Sequence, residues 1–449
     1  MSSSLSHVDC PLLPLVGADV TVPLVDGRVV RHVNLDGAAS APALVSVAER
    51  VNAVLPWYAS VHRGAGYASQ VSTALYEQAR RAVGAFVGER SGDVTIFTRN
   101  TTDATNLLAG AVPGRVLVLD VEHHANLLPW RRSLGGCEVI GVQPTVAASL
   151  KALASALSSR QVALVAVTGA SNVTGESLPL DALVDLAHRY GARVFVDGAQ
   201  LLAHRGLSLA ESGVDYVAFS GHKLHAPFGA GALVGRGDWL EGVEPYLAGG
   251  GAVRRITEDE VEWTDGPARH EAGTPNLIGA VALASAAEAL SSLPPERVAA
   301  HESALRSRLV EGLADVPGAE VARIWTDSAE PIGVVTFRVE GVDPGLLAAF
   351  LAAEHGVSVR DGRFCAHPLL DRLGWGEGAI RASVGVGSQA EDVERLLDGV
   401  RAWVSGERSA EYRREAGVWV VANDPRPTPA SLDVDRLVAT AAACAPVGV

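Results

Sequence analysis

From about residue 90 onward, short valine-rich apolar runs alternate with segments whose apolar residues recur every three or four positions. Such alternation predicts strand and helix in turn, hence a parallel sheet covered by helices. DVTIFT (93–98), RVLVLD (115–120), CEVIGV (137–142), VALVAVT (162–168), RVFVD (193–197), VDYVAFSG (214–221) and GAGALVGR (229–236) read as strands. TTDATNLLAGAV (101–112), SLKALASALSS (149–159) and LDALVDLAHRYG (180–191) read as helices, the last with Gly191 as its stop. After about residue 292 the texture changes. A long helix (295–316), strands AEVARIW (319–325) and GVVTFRV (333–339), a helix (344–356) and the strand VSVRD (357–361) suggest a smaller α+β domain. The predicted organisation is an N-terminal segment (1–32) packing near the small domain, a large domain (33–292), a small domain (293–404) and an extension (405–449) of semi-independent character.

Composition narrows the class. A chain of 449 residues exceeds what one hydrophobic core usually organises, and 48% hydrophobic against 20% charged residues excludes a disordered or low-complexity chain. Basic residues number 37 and acidic ones 51, a net charge of −14, which argues against a nucleic-acid groove or a membrane-binding basic patch. Cys10, Cys137, Cys365 and Cys444 are far apart and form no C-x-x-C pair, so neither a metal site nor a disulfide framework is expected. The opening MSSSLSHVDCPLLPLV lacks a basic region and a long apolar run, and no stretch reaches ~18 apolar residues. The expectation is a soluble, cytoplasmic protein.

The basic residues carry the first chemical clue. Arginine supplies 35 of the 37, and lysine occurs only at Lys151 and Lys223. Arginine is too basic to give a neutral nucleophile, so a reaction needing a free amine has two candidates. Lys151 sits at a polar position of a predicted helix, as a solvated charge would. Lys223 lies in the glycine-rich, weakly charged FSGHKLHAPFGAGALVG, where a solubilising lysine is out of place.

Ligands of open α/β sheets collect at the carboxyl ends of strands. There the sequence places Thr101 and Thr102, His123 and His124, Asn172, Asp197, and the group Ser220, His222 and Lys223. A neutral lysine can form a Schiff base with a carbonyl cofactor such as pyridoxal phosphate. Asp197 could pair with the pyridine nitrogen, Thr101 and Thr102 at a helix start could bind phosphate with Ser220 and His222, and His123 could lie on the ring. Each has a plainer reading alone: a turn aspartate, a threonine cap, an exposed histidine pair.

DGAQ followed about twenty residues later by SGHK resembles the class V aminotransferase family of fold-type I enzymes, and within it the type II cysteine desulfurases. NLDGAASAP (34–42), SVHRGAGYAS (60–69), TRNTTDATNL (98–107), EHHANLLPW (122–130), SNVTGE (171–176), EAGTPN (271–276) and RDGRFCAHPLL (360–370) extend the likeness in order and spacing up to about residue 405. The resemblance implies a large α/β domain with a mainly parallel seven-stranded sheet, a smaller C-terminal α+β domain, pyridoxal phosphate and a homodimer. By position it implies that Lys223 forms the Schiff base and shuttles protons, Asp197 pairs with the ring nitrogen, His123 stacks, and Gln200 bonds the phenolic oxygen. Thr102, Ser220 and His222 would bind phosphate, with Thr274 reaching across from a second subunit. Asn172 and Arg381 would hold the substrate carboxylate, with Arg360 and His62 as further substrate candidates. Without the motif, Arg381 reads as a strand-edge charge.

Cys365 would receive sulfur from L-cysteine as a persulfide, releasing alanine, and pass it to an acceptor protein. Its plain alternative is a small buried hydrophobe. The flanking Arg360 and Arg363 would favour its thiolate. Three departures touch the substrate side. Gly37 stands where the family commonly has asparagine, Arg363 and Phe364 where small residues or histidine precede the cysteine, and HRGAGY lacks a following histidine. A C–S or C–Se lyase, an aminotransferase or an amino-acid epimerase with an incidental Cys365 therefore stay open.

Overall fold

Seven apolar runs form one sheet because their strands are sealed on both faces. The computed structural model describes residues 8–329 and 331–432. The strands are β1 (Asp93–Thr98), β2 (Val116–Leu119), β3 (Cys137–Ile140), β4 (Leu164–Thr168), β5 (Arg193–Asp197), β6 (Tyr216–Ser220) and β7 (Gly231–Arg236). They lie in the order β1-β7-β6-β5-β4-β2-β3. All pairings are parallel except those of β7, which runs antiparallel to both neighbours. Along each central strand successive side chains serve opposite cores. Val165, Val194, Val196 and Val217 face one, while Leu164, Ala166, Phe195, Tyr216 and Ala218 face the other.

Helices α1 (Val45–Val54), α2 (Tyr67–Phe86), α3 (Thr101–Ala109), α4 (Val146–Ser159), α5 (Leu180–Arg189) and α6 (Leu277–Ser291) belong to this unit. Leu107 and Leu108 of α3 pack on the second face, and apolar residues of α2, α4, α5 and α6 on the first. Lys151 is exposed on α4, and Cys137 on β3 is half-buried.

The smaller unit holds α7 (Pro295–Ala314), α8 (Pro344–His355) and α9 (Ala390–Val404) against the strands β8 (Ala319–Val321), β9 (Val334–Val339), β10 (Arg360–Gly362) and β11 (Ala379–Ser383). This antiparallel sheet has the order β8-β9-β11-β10. Two expected strands are cut differently. VSVRD divides, because Val357–Ser358 pairs with Val33–Asn34 while Arg360–Gly362 pairs with β11. AEVARIW leaves its ladder after Val321, because the amides of Ile324 and Trp325 donate to the buried Glu176 carboxylate instead (2.5 and 3.2 Å). The N-terminal segment forms a hairpin, Thr21–Pro23 with Val29–Arg31, and its Val25 and Leu12 amides bond the small-domain carbonyls of Ala353 and Val386.

The described part of the extension is not semi-independent. Strands β12 (Tyr412–Glu415) and β13 (Val418–Val421) form a hairpin. The Glu354 carboxylate on α8 fixes it, accepting from Ser409 N and Oγ, Ala410 N and Tyr412 Oη. The rest of that segment, 433–449, lies outside the described residues.

Candidate active site

Strands β4, β5 and β6 end at Thr168, Asp197 and Ser220, and these ends open with the start of α3 onto a cavity of about 290 Å³. Thr101, Thr102, His123, Asn172, Asp197, Gln200, Ser220, His222, Lys223, Arg360, Cys365 and Arg381 all line it. Of the residues singled out from sequence for the site, His62, Thr274, His124 and Arg363 do not. The large domain supplies most of the floor, and the small domain contributes Arg360, Phe364, Cys365 and Arg381.

Lys223 closes a single helical turn, Gly221–Lys223, directly after β6. Gly221 is required there, since a Cβ would come within 2.8 Å of the carbonyl oxygens of Ala226 and Ala230. Burial pushes the Lys223 amine down to about 8, aided by the Arg381 charge and opposed by Asp197 and Cys365. Burial also raises the Asp197 carboxyl, which the Lys223 charge and the Ala199 amide pull back. That amide donates to Asp197 Oδ1 at 3.0 Å. His123 is driven to about 3, first by burial and then by the charges of Lys223, His124 and Arg381, so it is neutral near pH 7. The Ala125 amide donates to His123 Nδ1 at 3.0 Å, which leaves the ring proton on Nε2.

At the α3 end, Asn100 caps the helix, its side chain accepting from the Asp103 amide at 3.0 Å. Ser220 Oγ accepts from the Thr101 amide (2.8 Å) and bonds Thr101 Oγ1 (2.7 Å), tying the end of β6 to the start of α3. Thr102 is exposed at the cavity's edge. The amides of Thr101, Asp103 and Ala104 donate within the protein, so the Thr102 amide and the helix dipole are what favour an anion here. His222, half-buried, has its pKa lowered by burial and then by Lys223. Gln200 Nε2 donates to the Ala38 carbonyl at 2.8 Å, pinning the NLDGAASAP segment over the cavity.

On the opposite side, Arg381 lies in the interior strand β11 and is 4% exposed, so the strand-edge reading fails. It donates through Nη1 to the Asn172 carbonyl (2.9 Å) and approaches Asp36 (3.5 Å), while its buried Nε has no partner. Burial lowers it to about 10, still a cation near pH 7. The Asn172 side chain donates to the Phe364 carbonyl at 2.8 Å, so its amide nitrogen holds the turn that carries Cys365. The Cys365 carbonyl accepts from His124 N at 2.8 Å. Phe364 and Cys365 are consecutive left-handed residues, φ 51° and 53°, a conformation non-glycine residues adopt only when held there. Cys365 is partly exposed and lines the cavity, unlike an apolar core residue.

One expected neighbour is misplaced. Arg363 bonds Asp371 and the His367 carbonyl rather than lining the cavity, and the cations felt by Cys365 include Lys223 and Arg381. Arg360, in contrast, does line the cavity.

Sequence reasoning missed Asn100 and Thr168, which line the cavity, and Asp36, which approaches Arg381. An asparagine before TTD is a readable cap, but the Phe364 ring over Arg381 joins residues distant in sequence. His62 bonds Glu77 (3.0 Å) in a separate depression of about 450 Å³ lined also by Arg63, Arg80, Glu271, Gly273 and Pro275. Thr274, between the last two, is exposed.

Residues 33–396 match the family model of class-V aminotransferases, and the chain belongs to that family. It is 36% identical over 357 residues to a protein of Mycolicibacterium paratuberculosis named "Probable cysteine desulfurase", covering 77% of this chain. The chain spans only about half, 51%, of that relative's length. It is 34% identical over 413 residues to a "Cysteine desulfurase" of Haloferax volcanii, covering 88% of this chain and 95% of that one. Its fold is similar to a cysteine desulfurase from Thermococcus onnurineus, with TM-score 0.76 and 32% identity over 84% of this chain and 95% of that one. The cysteine desulfurase CsdA of Escherichia coli, in its S-sulfonic acid form, gives TM-score 0.74 and 30% identity over 84% and 96% of the two chains.

Proposed function

We propose that this chain is a pyridoxal-phosphate-dependent cysteine desulfurase acting on L-cysteine. The observation that carries it is one cavity lined by Lys223, Asp197, His123, Arg381 and Cys365. The donor set fits the cofactor. A lysine at about 8 keeps a usable neutral fraction near pH 7, a buried carboxylate stands near it, and hydroxyls and amides gather at the start of α3. The unpartnered Nε of Arg381 leaves a donor for a substrate carboxylate. The cavity's size lies near the lower end of small-molecule sites, ~300 Å³ upwards.

Bound there, pyridoxal phosphate supplies an aldehyde that captures the substrate amine and a ring that accepts charge from its α-carbon. Asp197 holds the ring nitrogen protonated, and Thr101, Thr102, Ser220 and His222 hold the phosphate. Gln200 bonds the phenolic oxygen. Neutral His123 stacks and offers its Nε2 proton. Arg381 fixes the substrate carboxylate, with Arg360 at the rim. The Lys223 amine takes the α-proton and returns it. Cys365, having given up its thiol proton, would attack the substrate sulfur; the carbon–sulfur electron pair would pass to the β-carbon, which takes up that proton, and alanine would leave with a persulfide on Cys365.

The experiment is product analysis with L-cysteine, together with L-selenocysteine. Alanine and a stoichiometric persulfide are expected from the parent, and Cys365→Ala should lose at least about a hundredfold of sulfur transfer while retaining the cofactor. Full transfer by Cys365→Ala would reject Cys365 as nucleophile and favour the lyase, aminotransferase or epimerase readings. We further propose a cytoplasmic homodimer in which Thr274 reaches the other subunit's cavity, and a protein acceptor for the sulfur. Exposed Leu55, Trp57, Tyr58 and Tyr67, close in sequence to His62, support an interface there.

A further inference from the structure

Three buried residues close a ring beside Cys365. Arg381 Nη1 donates to the Asn172 carbonyl at 2.9 Å. Asn172 Nδ2 donates to the Phe364 carbonyl at 2.8 Å. The Phe364 ring returns to Arg381, whose guanidinium carbon lies 5.2 Å from the ring centroid. Their exposures are 4%, 5% and 6%, so each contact is made away from water. The members come from β11, from the loop after β4 and from the turn after β10. Nothing in the local sequence joins them.

We propose that Phe364 is a positioning residue that couples the seating of a carboxylate on Arg381 to the placement of the Cys365 thiol. The roles of Arg381 and Cys365 rest on the desulfurase reading, whereas the coupling rests on the ring itself. Two successive left-handed residues without glycine persist only where the surroundings over-determine them. Here the turn is held at the Phe364 carbonyl by Asn172, at the Cys365 carbonyl by His124 and at the Phe364 side chain by Arg381. The aromatic face matters because it meets a desolvated cation, which an aliphatic side chain of similar bulk cannot do. Arg381 keeps Nε for an anion. Any shift of its guanidinium toward a carboxylate moves the ring it rests on, and with it the residue next to the thiol. Phe364 also lines the cavity, so the ring is a wall of the substrate's room as well as the link.

The test follows alkylation of Cys365 by iodoacetamide in the holoenzyme, read by mass spectrometry of the Cys365 peptide so that the other cysteines do not interfere. Phe364→Leu frees the turn and should raise the rate roughly thirtyfold, the scale of one desolvated cation–ring contact. Phe364→Tyr, which restores the aromatic face, should return within about twofold of the parent, and Phe364→Leu combined with Asn172→Ala should exceed the larger single effect by no more than about twofold. For L-cysteine, Phe364→Leu should raise KM and lower kcat together, with Tyr restoring both, a pattern that packing loss alone would not reverse so selectively. Parental alkylation of Phe364→Leu, or multiplying effects in the double variant, would overturn the coupling. If Phe364→Leu does not fold, Phe364→Met is measured by the same criteria. A parent that forms no alanine would defeat the desulfurase reading and leave the alkylation comparison intact.

Discussion

Lys223 is one of two lysines in the chain, and burial gives its amine a property that exposed amines lack. Its pKa falls from the ordinary 10.5 to about 8, because desolvation and the Arg381 charge outweigh the pull of Asp197. The cofactor-free Lys151→Arg protein has Lys223 as its only lysine, so trinitrobenzenesulfonate labelling mapped to the Lys223 peptide should follow a midpoint of about 8. A midpoint near 10.5 would show that the amine is not desolvated. The same shift has a stability consequence of fixed sign. Between about 8 and 10.5 the unfolded chain binds more protons at this residue, so its contribution to stability improves as pH rises through that window. Urea midpoints of the cofactor-free protein should show this rise, and Lys223→Met should remove it. Lys223 was legible because a lone charge in an apolar loop is anomalous. The surroundings of Arg381 and Arg363 were not, because a guanidinium's partners lie wherever the fold brings them.

At the scale of elements, strand ends were the readable feature. RVFVD is β5 residue for residue, and its last position, Asp197, reaches the cavity. What sequence did not reveal was where ladders stop, since Glu176 withdraws the Ile324 and Trp325 amides from a strand over a hundred residues away. The junction of α3 with β6 and β7 was equally hidden. A Cβ on Gly231 would lie 2.5 Å from the Phe219 carbonyl and 2.8 Å from the Asn100 Cα, so only glycine lets β7 pass the start of α3. Gly231→Ala should therefore displace the helix start and release cofactor on dialysis faster than Asn100→Ala. The latter removes a cap, at about 1 kcal/mol, and a polar group from the cavity wall, but leaves room for the helix start where it is. Absorbance retained by the two variants decides it, and equal retention would separate the helix start from cofactor holding.

At the scale of the whole molecule, the small domain brings Arg360, Cys365 and Arg381 to the cavity of the large one, while the extension lay outside the motifs read from sequence and its docking had to be seen. Two carboxylates hold its hairpin, Asp343, which bonds Arg414, and Glu354. Glu354, 8% exposed, accepts from Ser409 N at 2.8 Å, Ser409 Oγ at 2.6 Å and Tyr412 Oη at 2.7 Å. At the other end of α8, a Cβ on Gly345 would lie 3.2 Å from both the Trp419 ring and the Asp361 carboxylate, so the hairpin packs beside β10, whose first residue, Arg360, lines the cavity. Hydrogen bonds to a charged group contribute about 1.5–3 kcal/mol each, so losing this acceptor should favour local opening of the hairpin by at least about tenfold. Trypsin should then cleave Glu354→Ala after Arg408, Arg413 or Arg414 correspondingly faster than the parent. Because the Cys365 turn is held separately by Asn172 and His124, the loosened hairpin should raise the KM for L-cysteine through Arg360 and leave kcat close to parental. Unchanged cleavage would place the anchorage in the apolar contacts of Tyr412 and Val421 instead, and a fall in kcat without a change in KM would mean that the hairpin supports the nucleophile's turn.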